Sequence, residues 1–465
     1  MTDSLQIPEQ WLSLLIGEVA DVIAGGTPKA SDPDNFAKPE TQIAWLTPAD
    51  LSKYAEKYIA HGARDLSAKG YEKCSAKKMP TGTLLFSSRA PIGYVAVAAN
   101  EISTNQGFKN FVMPSKIEPS YAYYFLRSIR DIAESMGTGT TFKEISGANA
   151  KKLPFILPPL AEQKIIADKL DTLLAQVDNT KARLERIPEI LKCFRQSVLA
   201  AAVTGRLTEE WHKKYSTNHE WQTVSLGHLV ESGPQNGVYK PTKLYGSGCL
   251  IIRIDSFYDG LIADWKELKR VQLSLSEIEK WQINKGDILV NRVNSIEYLG
   301  KSALVKDLVE PVVFESNIMR LSLKRGLAKP EFISLFLRSP VGLEQLRANA
   351  KLAVNQASIN QNDVKSCMLD LPTLEEQTEI VRRADQLFAY ADTVERQVNS
   401  AFARVNQLTQ SILAKAFRGE LTEQWRKDNP ALISGENSAK ALLARIKEER
   451  AAQAPKKRTR KKTTT

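Results

Sequence analysis

Between residues 166 and 198 apolar side chains recur at alternating steps of four and three: Ile166, Leu170, Leu173, Val177, Leu184, Ile187, Leu191, Phe194 and Val198, with Thr180 in the one gap. This is the a/d period of a helix that packs against another helix. The period returns at Ile380, Ala384, Leu387, Ala391, Val394, Val398, Ala401, Val405, Leu408 and Ile412. Several large residues of one stretch face Ala in the other, as Leu170 does Ala384, Val177 Ala391 and Ile187 Ala401. Each pattern predicts a helix of about 40 residues, roughly 60 Å long at 1.5 Å per residue.

The two stretches are copies. Shifted by 214 positions, "LPPLAEQKIIADKLDTLLAQVD" falls on "LPTLEEQTEIVRRADQLFAYAD", and "GRLTEEW" (205–211) on "GELTEQW" (419–425). Roughly 20 of about 55 aligned positions are identical, which marks an internal duplication. Pro158, Pro159 and Pro372 precede the helices, and Gly205 and Gly419 suit the residue just past a helix end. The heptapeptides therefore read as a terminator followed by a packing element, anchored by Leu207 and Trp211 or by Leu421 and Trp425. Pro188 predicts a kink or break near Arg186, because it removes a backbone donor. A third amphipathic helix is expected over 438–452, packed on the long helices or on a partner, or else lying on the surface.

The segments before each long helix also correspond. "EQWLSLLIGEVADVI" (9–23) resembles "HEWQTVSLGHLVESG" (219–233), and "YYFLRS" (123–128) resembles "SLFLRS" (334–339). Two mixed α/β globules of about 150 residues follow, within the usual domain size. They diverge at loops. "SSRAPIG" (87–93) and "NRVNSIEYLG" (291–300) each leave a short apolar strand, and "GTGTTFKEISGANAKK" (137–152) stands against "NAKLAVNQASINQND" (349–363). Arg can read guanine in the major groove and Asn can read adenine, or both can hold phosphates. Candidate DNA contacts are Ser88, Arg89, Lys109, Thr140, Thr141, Lys143, Arg253, Asn291, Arg292, Asn294, Asn355 and Gln356.

Charge adds direction. The 465 residues carry a net +11, which favours a polyanionic partner. Part of the excess lies in "APKKRTRKKTTT", read as a disordered basic tail. Cys74, Cys193, Cys249 and Cys367 lie far apart, without metal or redox spacing, as expected in a reducing cytosol. Three of the four histidines fall within 212–228 without a ligand pattern, so no metal site is expected. The early apolar run is interrupted by Glu18 and Asp21, so no membrane span is expected and a cytoplasmic protein is.

The segments 157–191 and 419–452, with the opening "IPEQWLSLLIGEVADVIAGGTPK", closely resemble the specificity subunit of type I restriction–modification enzymes, most strongly the enterobacterial type IA group. The resemblance spans essentially the whole chain and is weakest in the globules. It implies an α/β (α+β) fold with two target recognition domains, separated by two long helices packed as an antiparallel coiled coil, with internal pseudo-twofold symmetry. Each domain would read one half of an asymmetric bipartite site in double-stranded DNA, with the helices fixing the separation of the halves; helices of this length could hold the domain centres one to two turns of B-DNA apart. Two methyltransferase subunits and two restriction/translocase subunits would join the chain. S-adenosylmethionine, ATP and Mg2+ would be bound by those partners, and no cofactor by this chain.

The expected boundaries are a recognition domain at 1–153, a central helical region at 154–211 and a second recognition domain at 212–367. A distal helical region at 368–430, a C-terminal helix at 431–453 and the tail at 454–465 complete the chain. Helix packing rests on Ile166, Leu170, Leu173, Val177, Leu184 and Leu191 against Ile380, Leu387, Val394, Val398, Val405 and Leu408. An enzyme is disfavoured. Neither an Asn/Asp-Pro-Pro-aromatic motif nor a G-x-x-x-x-G-K-[ST] loop is present, and "GTGTT" (137–141) lacks the following Lys. A single-chain methyltransferase or nuclease, and a helical scaffold that reads no DNA, stand as the alternatives.

Overall fold

The structure, a computed structural model, describes all residues except 1–6, 90, 140–142, 216–219, 259, 263, 355 and 454–465. It forms two compact units: Met1–Arg183 with Phe402–Thr465, and Leu184–Ala401. Each unit joins one globule to half of each long helix. The Thr140, Thr141 and Asn355 candidates and the basic tail fall outside the described residues.

In the first unit, Leu12–Leu15 pairs antiparallel with Pro154–Leu157, bringing the globule's entry and exit strands together. A five-stranded sheet follows the order Asp21–Ala24, Lys109–Val112, Leu84–Ser88, Ile92–Ala98 and Tyr58–Ile59. Helix Pro119–Ser128 packs on it, with Pro at its first turn where no backbone donor is needed. Phe125 meets Phe155 and Phe417 edge-on at 5.2 and 5.0 Å between ring centroids. Phe155 belongs to the exit strand and Phe417 ends the second long helix, so globule and helices share one core. Burial alone of such rings contributes roughly 2–3 kcal/mol each.

The second unit repeats this plan. Gln222–Ser225 pairs with Met368–Leu371. Its four-stranded sheet runs Val230–Asn236, Ile318–Leu323, Ile288–Asn291 and Ser302–Leu304, the same order as the first four strands above. A three-stranded sheet of Lys269–Val271, Tyr245–Ile252 and Val312–Phe314 is added beside it. Helix Pro330–Arg338 packs its Phe332 against Trp221 at 6.3 Å.

The long helices are Leu160–Val203 and Leu374–Phe417, 44 residues each. In both units the early turns of one lie beside the late turns of the other, hence antiparallel. In the first, Lys169 Nζ donates to the Leu421 carbonyl at 2.7 Å. In the second, Arg195 Nη2 reaches Asp392 and Glu395, each at 2.7 Å, and Arg383 Nη1 donates to the Leu207 carbonyl at 2.8 Å. Gly205 and Gly419 end the helices at φ 77° and 79°, a left-handed conformation that costs glycine little.

Several expectations need correction. The first helix is continuous through Pro188, which lies on an exposed face, so the break expected there is absent. Of the predicted seam, Ile166, Leu170, Val177, Leu191, Ile380, Val398 and Val405 are buried, while Leu184, Leu387 and Val394 are half-buried. Leu173 is half-buried and its neighbour Leu174 is the buried residue, whereas Leu408 stands 45% exposed. The seven-residue step itself persists, through Leu170, Val177, Leu184, Leu191 and Val198 in one helix and through Ala384, Ala391, Val398 and Val405 in the other. The heptapeptides are anchored by Thr208 and Thr422, both fully buried, and Trp211 and Trp425 are half-buried. The C-terminal helix Ala439–Gln453 inserts Leu442 and Ile446 into the first unit's core beside Phe417. Its Arg450 closes the short helix Ile16–Val19 by donating to the Gly17, Glu18 and Ala20 carbonyls.

What the threonines hold is a buried carboxylate. Glu162, in the first turn of the first long helix, accepts from Trp11 Nε1 (2.7 Å), Thr422 Oγ1 (2.6 Å) and Arg426 Nη1 (2.6 Å). Glu376, its counterpart, accepts from Trp221 Nε1 (3.1 Å) and Thr208 Oγ1 (2.7 Å), with His212 Nε2 at 2.7 Å. The neighbouring glutamines are equally paired. Gln163 accepts from the Glu118 amide and Gln377 from the Lys329 amide, at the N-caps of the two equivalent globule helices.

Removing a partner from such a buried cluster strands the remaining donors. Glu162→Ala is therefore expected to destabilise the first unit by about 3–5 kcal/mol, and Glu376→Ala somewhat less, since His212 is more exposed than Arg426. Chemical unfolding followed by tryptophan fluorescence measures both; losses below about 1 kcal/mol would contradict this account.

Candidate nucleic-acid interface

The two divergent loop sets meet in each globule. In the first unit strand Leu84–Ser88 ends in Ser88, which is buried and whose carbonyl accepts from the Ile145 amide. Arg89 then forms a β-bridge with Glu144, and Glu144 exchanges two backbone hydrogen bonds with Thr138. In the second unit the matching strand Ile288–Asn291 ends in buried Asn291, and the next carbonyl, of Arg292, accepts from the Ile359 amide. Val293–Asn294 pairs with Gln356–Ser358, which pairs in turn with Lys351–Ala353. A buried polar residue followed by an arginine, stitched to the second loop, is thus the shared plan of both edges.

The candidates divide by exposure. Ser88, Lys109 and Asn291 are buried, because each sits on a strand facing a covered layer. Lys109 Nζ is spent on Glu144 at 3.1 Å and Ser88 at 3.3 Å. Asn291 Nδ2 donates to the Ile254 carbonyl at 3.3 Å, while its Oδ1 has no partner among the described residues. Lys143 and Gln356 are exposed. Arg89, Arg292 and Asn294 are half-buried. Asn294 Oδ1 accepts from the Ser295 amide at 2.9 Å. Arg292 Nη1 donates to the Ser316 carbonyl at 3.2 Å, and its Nε is unpartnered among the described residues. Its fork therefore retains donors.

Ser316 also lines an open cleft of about 490 Å³ with Tyr239, Lys240, Tyr245, Arg253 and Asn317. Arg253 Nε pairs with Glu315 at 3.2 Å. Burial works against the Arg253 charge, and the Glu315 carboxylate more than offsets it. Burial, then Glu315, push the Tyr245 phenol above its ordinary value, so it stays a neutral hydroxyl. Arg347 clamps the loop from behind through the Leu299 and Glu297 carbonyls, at 2.9 and 3.0 Å. Sequence reasoning missed Tyr239, Glu144 and Glu315. No spacing marks them; only the fold brings them to these edges.

The family model for the type I restriction modification DNA specificity domain matches the chain twice, over residues 8–189 and 218–401. The chain belongs to that family. It is 39% identical over 471 residues to the EcoKI specificity subunit of Escherichia coli strain K12, spanning 98% of this chain and 99% of the relative. The EcoBI specificity subunit of Escherichia coli is 44% identical over 366 residues, 76% of each chain. Among solved structures, the HsdS subunit from Thermoanaerobacter tengcongensis matches with a TM-score of 0.57 at 20% identity, over 89% of this chain and 98% of that one. A chain from a structure of assembly and conformational transition in a type I R-M system matches with a TM-score of 0.65 at 19% identity, over 89% and 99%. Those two likenesses concern the fold. The chain is a specificity subunit of a type I restriction–modification system and not itself an enzyme.

Arg292→Ala is expected to relax selection at one position of one half-site and leave the other half unchanged. A bidentate arginine contact to a base contributes about 1–3 kcal/mol of discrimination. Binding to a panel of substituted duplexes checks this; equal weakening on all of them would make Arg292 a phosphate contact.

Proposed function

We propose that the chain reads an asymmetric, bipartite target in double-stranded DNA, each globule reading one half and the long helices setting the spacer. The observation that carries this reading is the repetition of one scaffold with two different edges: Ser88–Arg89 with the Thr138–Glu144 loop, and Asn291–Arg292 with the Lys351–Ser358 ribbon. A two-stranded ribbon of this kind fits the major groove. The net charge of +11 favours the phosphate backbone.

Two methyltransferase subunits and two restriction/translocase subunits are the proposed protein partners. S-adenosylmethionine serves the first, ATP and Mg2+ the second, and this chain binds none of them. No described helix is long and apolar enough to cross a membrane, and the proposed compartment is the cytoplasm.

The test is co-expression with the methyltransferase subunit in a host lacking adenine methylation at the relevant sites, followed by genome-wide single-molecule sequencing. A gapped, asymmetric motif with one methylated adenine on each strand is expected. A soluble complex that methylates nothing would favour the scaffold alternative.

Two predictions extend it. Replacing residues 1–153 with another family member's recognition domain changes one half-site only; a change in both would sink the modular reading. Four residues inserted in a long helix add about 6 Å, close to one full turn. The sequenced spacer should lengthen by about one or two base pairs, at 3.4 Å per pair. An unchanged spacer would contradict the ruler.

A further inference from the structure

Glu144 is a carboxylate on the edge where DNA is proposed to approach, in a chain whose charge otherwise attracts phosphates. Such a placement is costly unless the carboxylate has a task. Its surroundings define one. The Lys109 side chain is almost wholly buried, and an ammonium there needs a counter-charge. Glu144 Oε1 supplies it at 3.1 Å, while the Ser88 hydroxyl at 3.3 Å is neutral. The other oxygen, Oε2, faces Arg89 Nη1 at 3.7 Å. Lys109 thus fixes one end of the carboxylate and Arg89 meets the other.

The backbone fixes the same geometry. Arg89 and Glu144 are bridge partners, Glu144 is tied to Thr138 by two hydrogen bonds, and the following Ile145 amide donates to Ser88. Neither side chain can drift far from the other. An arginine has five donors, and one flanking carboxylate leaves most of them available. The Arg89 side chain is 36% exposed, so part of it stays open to solvent.

We propose that Glu144 is a positioning residue that aims the Arg89 guanidinium at one base pair of the half-site read by the N-terminal globule, with buried Lys109 as its anchor. The proposal rests on the DNA-reading function above. Guanine, with O6 and N7 side by side in the major groove, is the base such a fork suits. Without Glu144, Arg89 turns to the nearest phosphate and its contact ceases to depend on sequence.

The test uses the full chain in complex with its methyltransferase subunit. Duplexes carry the methylated target with each base pair of that half-site replaced in turn, and dissociation constants are read at fixed salt. Arg89→Ala is expected to lose about tenfold discrimination at one G·C position. Glu144→Gln should lose a similar factor at that same position while binding unrelated DNA no more weakly. The double variant R89A/E144Q should lose no more than R89A alone, because one residue acts through the other. If E144Q does not yield a complex, K109M/E144Q, which removes the buried ammonium together with its counter-charge, takes its place.

Loss at a different position, or losses that add in the double variant, would overturn the proposal and make Glu144 a direct base contact. Unaltered discrimination, or equal weakening on every duplex, would overturn it in favour of a purely structural pair with Lys109. A wild-type complex with no sequence preference would overturn the DNA-reading function itself, and this proposal with it.

Discussion

Everything else in the two units is arranged around a buried carboxylate in the first turn of each long helix. Glu162 and Glu376 each gather an indole N–H from the residue just before the globule's first strand, a threonine hydroxyl from the heptapeptide that follows the opposite helix, and the guanidinium or imidazole of the residue after it. A buried carboxylate is tolerable only when its oxygens are fully used. Three remote chain segments must therefore converge at one point, twice. That requirement explains why the heptapeptides are spelled alike: in each, the threonine and the residue after the tryptophan, His212 or Arg426, serve a glutamate more than 160 positions away.

The glutamine beside each carboxylate extends the constraint into the globule. By accepting from the N-cap amides of the equivalent globule helices, Gln163 and Gln377 fix how those helices leave the base. Sheet order is then common to both globules, and the variable loops hang from equivalent strand ends, after Ser88 and Asn291. A rigid base with a divergent rim is an economical way to change what is read without changing how the protein folds.

The rim itself shows how charge can be used for aim rather than attraction. Arg89, Arg253 and Lys109 all lie beside carboxylates, and Arg292 beside a backbone carbonyl. Cations held in this way have lost part of their freedom in advance, which favours directional contacts over loose phosphate binding. The exposed Lys143 has no carboxylate partner among the described residues and suits the backbone of the duplex better.

The long helices, their terminators and the duplication were legible in the sequence, because a period of 3.5 to 3.6 residues and a glycine at a left-handed position are local signals. So was the pairing of two loop sets with two globules. The fine register was not: Leu174 replaces Leu173 and Leu408 faces outward, since which of two adjacent apolar residues turns inward is settled only by what the opposite helix presents. Nor did a sequence pattern show that Thr208 and Thr422 rather than the tryptophans are the buried anchors, that Pro188 leaves its helix unbroken, or that Glu144 joins Arg89 to Lys109. Periodicity along the chain by itself determined the elements and their repetition. Which polar side chain meets which across long separations was decided only by the tertiary structure, because burying a charge or a hydroxyl is a condition on three-dimensional neighbours that no local stretch contains.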